Sequence, residues 1–328
     1  MARKTASKSR SKTASKPSSK AQPAAVQTSR ARAPEAVPEA APATAHDRAS
    51  IATSQHIALK QCRHGWFMYN LNDSIVGMAI DRYGEWCEGE LGLLAPLLRP
   101  GRVVIDVGAF IGTHTVFFAK QVGPAGHVYA IEPQRHTFHM LCGNVALNSL
   151  KNVTCLPCIA AAVPGEQKIA MYNPDLVQNF GGARVSLLPN GETVSAIRID
   201  DLPLSRCDLI KIDTEGMEPD VLAGARKTIE RFRPVVYCEN NTIEKASVTI
   251  DAVAALGYSA WWHISSYYNP HNFFGNRENL FANYVPESNI LCTPPGAKIV
   301  VEGLMPVEGR TDNWQKALQR MRAGPAVG

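Results

Sequence analysis

The 328-residue chain has no uninterrupted run of 18 apolar residues, so no membrane-spanning helix is expected. An apolar leader segment near the start is also missing, which speaks against secretion. The eight cysteines (Cys62, Cys87, Cys142, Cys155, Cys158, Cys207, Cys238 and Cys292) show no paired metal-binding spacing. Scattered over so long a chain, they imply reduced thiols and a cytoplasmic location. The one C-x-x-C, Cys155-Leu-Pro-Cys158, falls within an expected strand and not at a helix start, where a redox pair would have its thiol activated, so it reads as structural.

Charge is nearly balanced in total, with 34 basic and 29 acidic residues, but it is unevenly placed. Residues 1–48 hold ten Lys or Arg against Glu35, Glu39 and Asp47, which leaves 24 basic and 26 acidic residues in the remainder. A globular nucleic-acid binder is therefore disfavoured, because the positive balance belongs to a tail. In that tail a lysine recurs every four positions from Lys4 to Lys20, which in a helix would stack like charges. An Ala/Pro-rich stretch follows, and neither part can build a core, so a disordered tail is expected. It is compatible with a solubilising segment, a transit-like peptide, or a basic arm for nucleic acid or an anionic surface.

From residue 101 short β-branched runs alternate with helical segments, the pattern of an α/β domain with a parallel sheet covered on both faces. Strands are expected at 102–107, 127–131, 153–158, 208–212, 234–238, 258–262 and 289–292. Helices are expected near 113–121, 134–147, 219–232 and 247–256. Segments 167–172 and 192–199 read as a hairpin-like insertion. Residues 49–100 should add a strand pair and a helix near 87–98 packed on residues 101–295, with 296–328 as a C-terminal extension.

Three strand ends carry the chemistry. Val103-Val-Ile-Asp-Val-Gly-Ala-Phe-Ile-Gly112 ends a strand in Asp106, turns at Gly108 and enters a helix at Gly112, presenting backbone N–H groups above the sheet. The middle glycine of a dinucleotide fingerprint is missing, which favours a ligand without a diphosphate. Twenty residues later Glu132 ends the next strand, where a carboxylate can accept ribose hydroxyls. The third is Lys211-Ile-Asp213-Thr-Glu215-Gly-Met-Glu218, beside Glu239-Asn240-Asn241 at the end of the neighbouring strand.

These blocks, with Ile199-Asp200-Asp201-Leu202 and Pro234-Val-Val-Tyr-Cys-Glu239, resemble the FkbM-type S-adenosylmethionine-dependent methyltransferases over residues 100–240. The resemblance implies a class I, Rossmann-like fold, a seven-stranded sheet with helices on both faces and its last strand antiparallel. It also implies S-adenosyl-L-methionine as methyl donor and a hydroxyl of a sugar, glycan or secondary metabolite as acceptor. Asp106, Gly108, Ala109 and Gly112 would surround the amino-acid end of the cofactor, Glu132 its ribose, and Ala161 its adenine.

A sugar hydroxyl needs help to lose its proton, from a carboxylate, a histidine or a divalent cation. The candidates are Asp213, Glu215 and His271 as catalytic groups, and Asp213, Glu239 and Asn240 as Mg²⁺ ligands. The aromatic loop 265–276 reads as an acceptor wall. Two alternatives stand beside this reading: a nucleic-acid methyltransferase docking through residues 1–48, and a catalytically silent cofactor-binding protein. No Asn-Pro-Pro-Tyr motif follows the fourth strand, which argues against adenine-amino methylation. The oligomeric state is not encoded in any of these motifs.

Overall fold

The computed structural model describes residues 51–52, 55–182, 191–297, 301 and 303–323, and the expected basic tail lies outside them. The described chain enters through a three-stranded antiparallel sheet, β1 (Ile51–Ala52), β2 (Ile57–Cys62) and β3 (Gly65–Asn70). Helix α1 (Val76–Tyr83) follows, started by Asp73, whose carboxylate accepts from the N–H groups of Ile75 and Gly77 at 3.2 and 2.8 Å. Next come α2 (Glu88–Leu94) and a 3₁₀ turn, Ala95–Leu97. The expected single helix over 87–98 thus stops early, tightening where Pro96 enters the last turn, and α1 was not anticipated.

The elements of the α/β domain then run in order: β4 (Val103–Val107), α3 (Thr113–Val122), β5 (His127–Ile131), α4 (Arg135–Leu147) and β6 (Val153–Leu156). Strand β6 ends before Pro157, which has no N–H to give the ladder. The expected strand 153–158 is therefore divided. Its continuation, β7 (Cys158–Ala160), leaves the main sheet and joins a smaller one with β8 (Gly165–Ile169) and β9 (Glu192–Ile197), the expected insertion, in the order β7-β9-β8.

After β10 (Leu209–Ile212) the expected helix 219–232 is broken at Ala225 into α5 (Glu218–Gly224) and α6 (Arg226–Phe232). The chain continues through β11 (Val235–Glu239), α7 (Ile243–Ala255), β12 (Ser259–Ser265) and β13 (Glu287–Thr293). It ends with β14 (Met305–Pro306) and α8 (Trp314–Ala323).

The main sheet has the spatial order β14-β12-β13-β11-β10-β4-β5-β6. Strands β6, β5, β4, β10 and β11 are parallel to one another, and β13 runs antiparallel between β11 and β12. Seven strands with the last one reversed match the expectation. The count is eight because β14, from the C-terminal extension, pairs with β12 at the edge. One sheet face packs Ile105, Val107, Ile210, Ile212 and Val236 against α5, α6 and α7. The other packs Val104, Leu209 and Val235 against Phe118 and Val122 of α3 and Leu91 and Leu94 of α2. No helix among the described residues is long and apolar enough to cross a membrane.

The N-terminal sheet is joined to the α/β domain by an asparagine pair. Asn144 on α4 and Asn148, the residue that caps its C-terminus, bond the backbone N–H and C=O of Met68 and Trp66 respectively, at 2.6 to 3.1 Å. Two carboxamides thus satisfy the open edge of β3 as another strand would.

Candidate active site

Strand β4 feeds a turn that only glycine can make. Gly108 has φ 76°, and a Cβ there would lie 1.7 Å from the carbonyl oxygen of Asp213. The turn can therefore press against the end of β10 only without a side chain. The N–H groups of Gly108 and Ala109 both donate to the Ile131 carbonyl at 3.0 Å, drawing the ends of β4 and β5 together. Above these ends lies a cavity of about 350 Å³, within the usual range of small-molecule sites, roughly 300–1,000 Å³.

At one end of the cavity stands Glu132. One of its oxygens accepts from the Phe110 N–H at 2.9 Å, the other from the Gln134 N–H and the Thr137 hydroxyl at 2.9 Å each. Burial pushes its carboxyl up to about 7, with those donors acting in the opposite direction. Tyr172 and Phe180 stack beside it, 4.9 Å between centroids and 7° from parallel, facing the apolar wall of Cys158, Ile159 and Ala160.

The other end is lined by acids. Parallel register sets Lys211 beside Asp106, and side-chain alternation returns Asp213 to the same face. The Lys211 ammonium lies 3.1 Å from Asp213 Oδ2 and 3.7 Å from Asp106 Oδ1. Burial alone would lower the Lys211 pKa, but Asp213, Asp106 and Glu90 outweigh it and raise it. Glu215, Glu239, Asn241 and Glu287 complete this end, with Trp86 and Tyr267 stacked at 5.1 Å and 17°. Beneath, Glu90 of α2 reaches His114 Nε2 at 3.0 Å and Asn289 Nδ2 at 2.9 Å. Burial and the nearby Lys211 push the His114 imidazole down to about 4.

Of the expected site residues, Gly108, Ala109, Glu132, Asp213, Glu215 and Glu239 line the cavity together. Asp106 lies behind the wall, fully buried, accepting from the Thr115 hydroxyl at 2.6 Å and facing Lys211. Gly112 begins α3 against Leu141, and Ala161 turns into a small apolar cluster, so that Ala160 takes its place in the wall. His271 is a correction. It sits exposed in the 265–276 loop, its carbonyl held by Arg63 and its N–H by Asn269, and it is not in the lining.

The expected metal set is also corrected. The Asn240 carboxamide donates to the Ala246 carbonyl at 3.4 Å, away from the cavity. Glu215 joins Asp213 and Glu239 instead, with one carboxylate oxygen from each within 4.8 Å of the others. These oxygens fit a divalent ion poorly: the Lys211 ammonium is already against Asp213, and Asn241 Nδ2 holds a Glu239 oxygen. A second cation there would face an ammonium across a shared ligand.

Sequence reasoning missed Trp86, Glu90, Tyr172, Phe180 and Glu287. All five lie outside the strand-end motifs and reach the site from the N-terminal extension, the insertion or the reversed strand.

Residues 106–259 match the family model described as the methyltransferase FkbM domain. A curated relative, the tRNA(Phe) (4-demethylwyosine(37)-C(7)) aminocarboxypropyltransferase of Methanocaldococcus jannaschii, is 38% identical over 78 residues, 23% of this chain and 30% of its own length. The chain thus matches less than a third of that protein. Among solved structures, the methyltransferase FkbM from Methylobacillus flagellatus KT aligns with a TM-score of 0.40 and 16% identity, covering 58% of this chain and 43% of its own. M. jannaschii TYW2 in complex with AdoMet aligns with a TM-score of 0.40 and 15% identity, covering 74% and 87%. Residues 106–259 thus match the methyltransferase FkbM domain, and the glycine turn and strand order around them are those of the class I methyltransferase fold.

Proposed function

We propose that this methyltransferase uses S-adenosylmethionine to methylate a hydroxyl oxygen of a neutral, ring-bearing acceptor such as a sugar or glycan. The observation that carries the reading is the division of the cavity. At one end an apolar and aromatic slot adjoins the Glu132 carboxylate; at the other the Trp86–Tyr267 stack stands among carboxylates.

The first end fits the cofactor's nucleoside. Glu132 offers acceptor lone pairs to ribose hydroxyls, Tyr172 and Phe180 offer flat apolar surface to a purine, and the turn 108–110 offers close backbone approach without a side chain at its first residue. When bound, S-adenosylmethionine supplies an electrophilic methyl on a sulfonium, which an oxygen lone pair takes as the carbon–sulfur bond breaks. The chain's own residues orient the acceptor, exclude water and receive its proton. Trp86 and Tyr267 present a platform on which the apolar face of a sugar ring can stack, while the carboxylates accept from its hydroxyls.

The same acids disfavour the nucleic-acid alternative. Asp213, Glu215, Glu239 and Glu287 line this end with Lys211 as the basic side chain among them, so a phosphodiester would meet like charge. Calorimetry with S-adenosylhomocysteine, followed by mass spectrometry of a panel of neutral methyl glycosides incubated with enzyme and S-adenosylmethionine, tests the reading. Binding and a mass gain of one methyl on a glycoside are expected. Absent S-adenosylhomocysteine binding, or methylation of RNA and no glycoside, overturns it.

A further inference from the structure

We infer, on the cofactor reading above, that the turn 70–74 between β3 and α1 belongs to the cofactor site, with Asn70 and Asn72 as positioning residues that hold the loop 172–182 at the nucleoside end of the cavity. Tyr172, Asn179, Phe180, Gly181 and Gly182 all line the cavity, and all lie on this one loop of the insertion, beyond the end of β8. None of them belongs to a helix or strand, so no ladder of its own fixes the loop. Its position is set by the groups that bond it.

One side of the loop is held by the α/β domain. The Gln134 carboxamide donates to the Ala170 carbonyl at 2.9 Å. The Tyr172 hydroxyl lies 3.2 Å from that of Thr137, which donates in turn to Glu132 at 2.9 Å.

The other side is held by the turn 70–74. Asn70 Nδ2 and Asn72 Nδ2 both donate to the Pro174 carbonyl, at 3.0 and 3.1 Å, so both lone pairs of that oxygen are taken. The Gln178 N–H donates to the Asn72 carbonyl at 3.1 Å, and the Ser74 N–H donates to the Gln178 carbonyl at 3.0 Å, forming an isolated parallel bridge between Asp73 and Gln178. The two asparagines are fixed in turn. Asn70 is buried and its Oδ1 accepts from the Asn72 N–H at 2.8 Å, while Asn72 Nδ2 also reaches His56 Nδ1 at 3.0 Å.

Residues 70–74 are not in the lining themselves, and they lie outside the matched residues 106–259. They therefore act through Tyr172 and Phe180, the stacked pair that faces the purine in the proposed complex. A loop that has lost its anchors samples other positions, and the affinity of a ligand falls by the fraction of molecules in which its site is assembled. The turn thus adds to cofactor affinity without touching the cofactor.

The test uses the full chain, Asn72→Ala, and the double variant Asn70→Ala/Asn72→Ala. By calorimetry, S-adenosylhomocysteine affinity is expected to fall by about threefold in the single variant and by about tenfold or more in the double. Hydrogen exchange read by mass spectrometry separates this role from a general one in stability. The amides of 172–182 should exchange faster in both variants, while those of β4, β5 and β10 keep their native rates.

An affinity within about twofold of native in the double variant overturns the inference. A loss of affinity accompanied by faster exchange throughout β4, β5 and β10 also overturns it, because the turn would then act through the fold as a whole. If the double variant does not fold, the half-buried Asn72→Ala position decides by the same two readouts, with native affinity as the overturning result. Absent S-adenosylhomocysteine binding by the native protein overturns the proposed function instead.

Discussion

Asn144 of α4 accepts from the Met68 N–H at 2.6 Å and returns a hydrogen bond to the Met68 carbonyl at 3.0 Å, while also donating to the carbonyl of Ile111 at 2.8 Å. One buried carboxamide thus ties the N-terminal sheet to the loop at the cavity. Asn144→Ala leaves three backbone groups without this partner and should lower stability by about 3 kcal/mol in urea unfolding. A change within about 0.5 kcal/mol would show that water replaces the carboxamide.

Lys211, itself buried, compensates the buried Asp106 and Glu90 and the half-buried Asp213, and removing a buried ion's partner costs far more than a surface pair. Lys211→Met should cost about 3–5 kcal/mol at pH 7.5. The loss should be smaller at pH 5, where the abandoned carboxylates take up protons. Equal losses at the two pH values would contradict this account.

His114 is held neutral in the fold, with its pKa lowered to about 4 from an ordinary 6.5. The unfolded chain therefore binds a proton more readily between these values, and the contribution of neutral His114 is complete above pH 6.5 and lost as pH falls towards 4. Its size is at most about 3 kcal/mol. His114→Gln should remove this component, so the stability difference between native and variant should move in the variant's favour from pH 6.5 to pH 4.5. Parallel denaturation curves at the two pH values would refute it.

The poor fit of Asp213, Glu215 and Glu239 to a divalent ion has a direct consequence. Methyl transfer and S-adenosylhomocysteine affinity should be unchanged after dialysis against EDTA. A loss restored by Mg²⁺ would show that the three carboxylates hold an ion despite Lys211.

Trp86 lines the end of the cavity that we propose for the acceptor, so Trp86→Ala should raise the acceptor KM by about tenfold, the scale of a lost aromatic contact, with S-adenosylhomocysteine binding little altered. An equal loss of cofactor affinity would place Trp86 in cofactor binding instead.

Much of this site was legible in the chain because strand-end residues are read locally. Once β4, β5, β10 and β11 are recognised as parallel strands, Gly108, Glu132, Asp213 and Glu239 must gather at their carboxyl ends. Register also explains the misjudged residues. Asp106, two residues before Gly108, falls within the ladder opposite Lys211 and is buried. Asn240 leaves the strand just after Glu239 and points the other way. Trp86, Glu90 and Glu287 carried no local signal. Their positions depend on a long return connection and on how the first described segment packs, and no spacing rule encodes either. His271 was misread because a polar side chain in an aromatic loop looks catalytic until Glu85 and Arg63 are seen to hold that loop.

Glu90 reaching beneath Lys211 also bears on how the protein can be divided. The family match begins at residue 106, and a fragment cut there would keep the glycine turn, Glu132, Asp213 and Glu239. It would lose Trp86 from the cavity lining, Glu90 from the charge cluster, and the β3 edge that Asn144 and Asn148 bond. The cavity and its charge cluster therefore extend well upstream of the matched domain, because the segment before residue 106 supplies side chains to both.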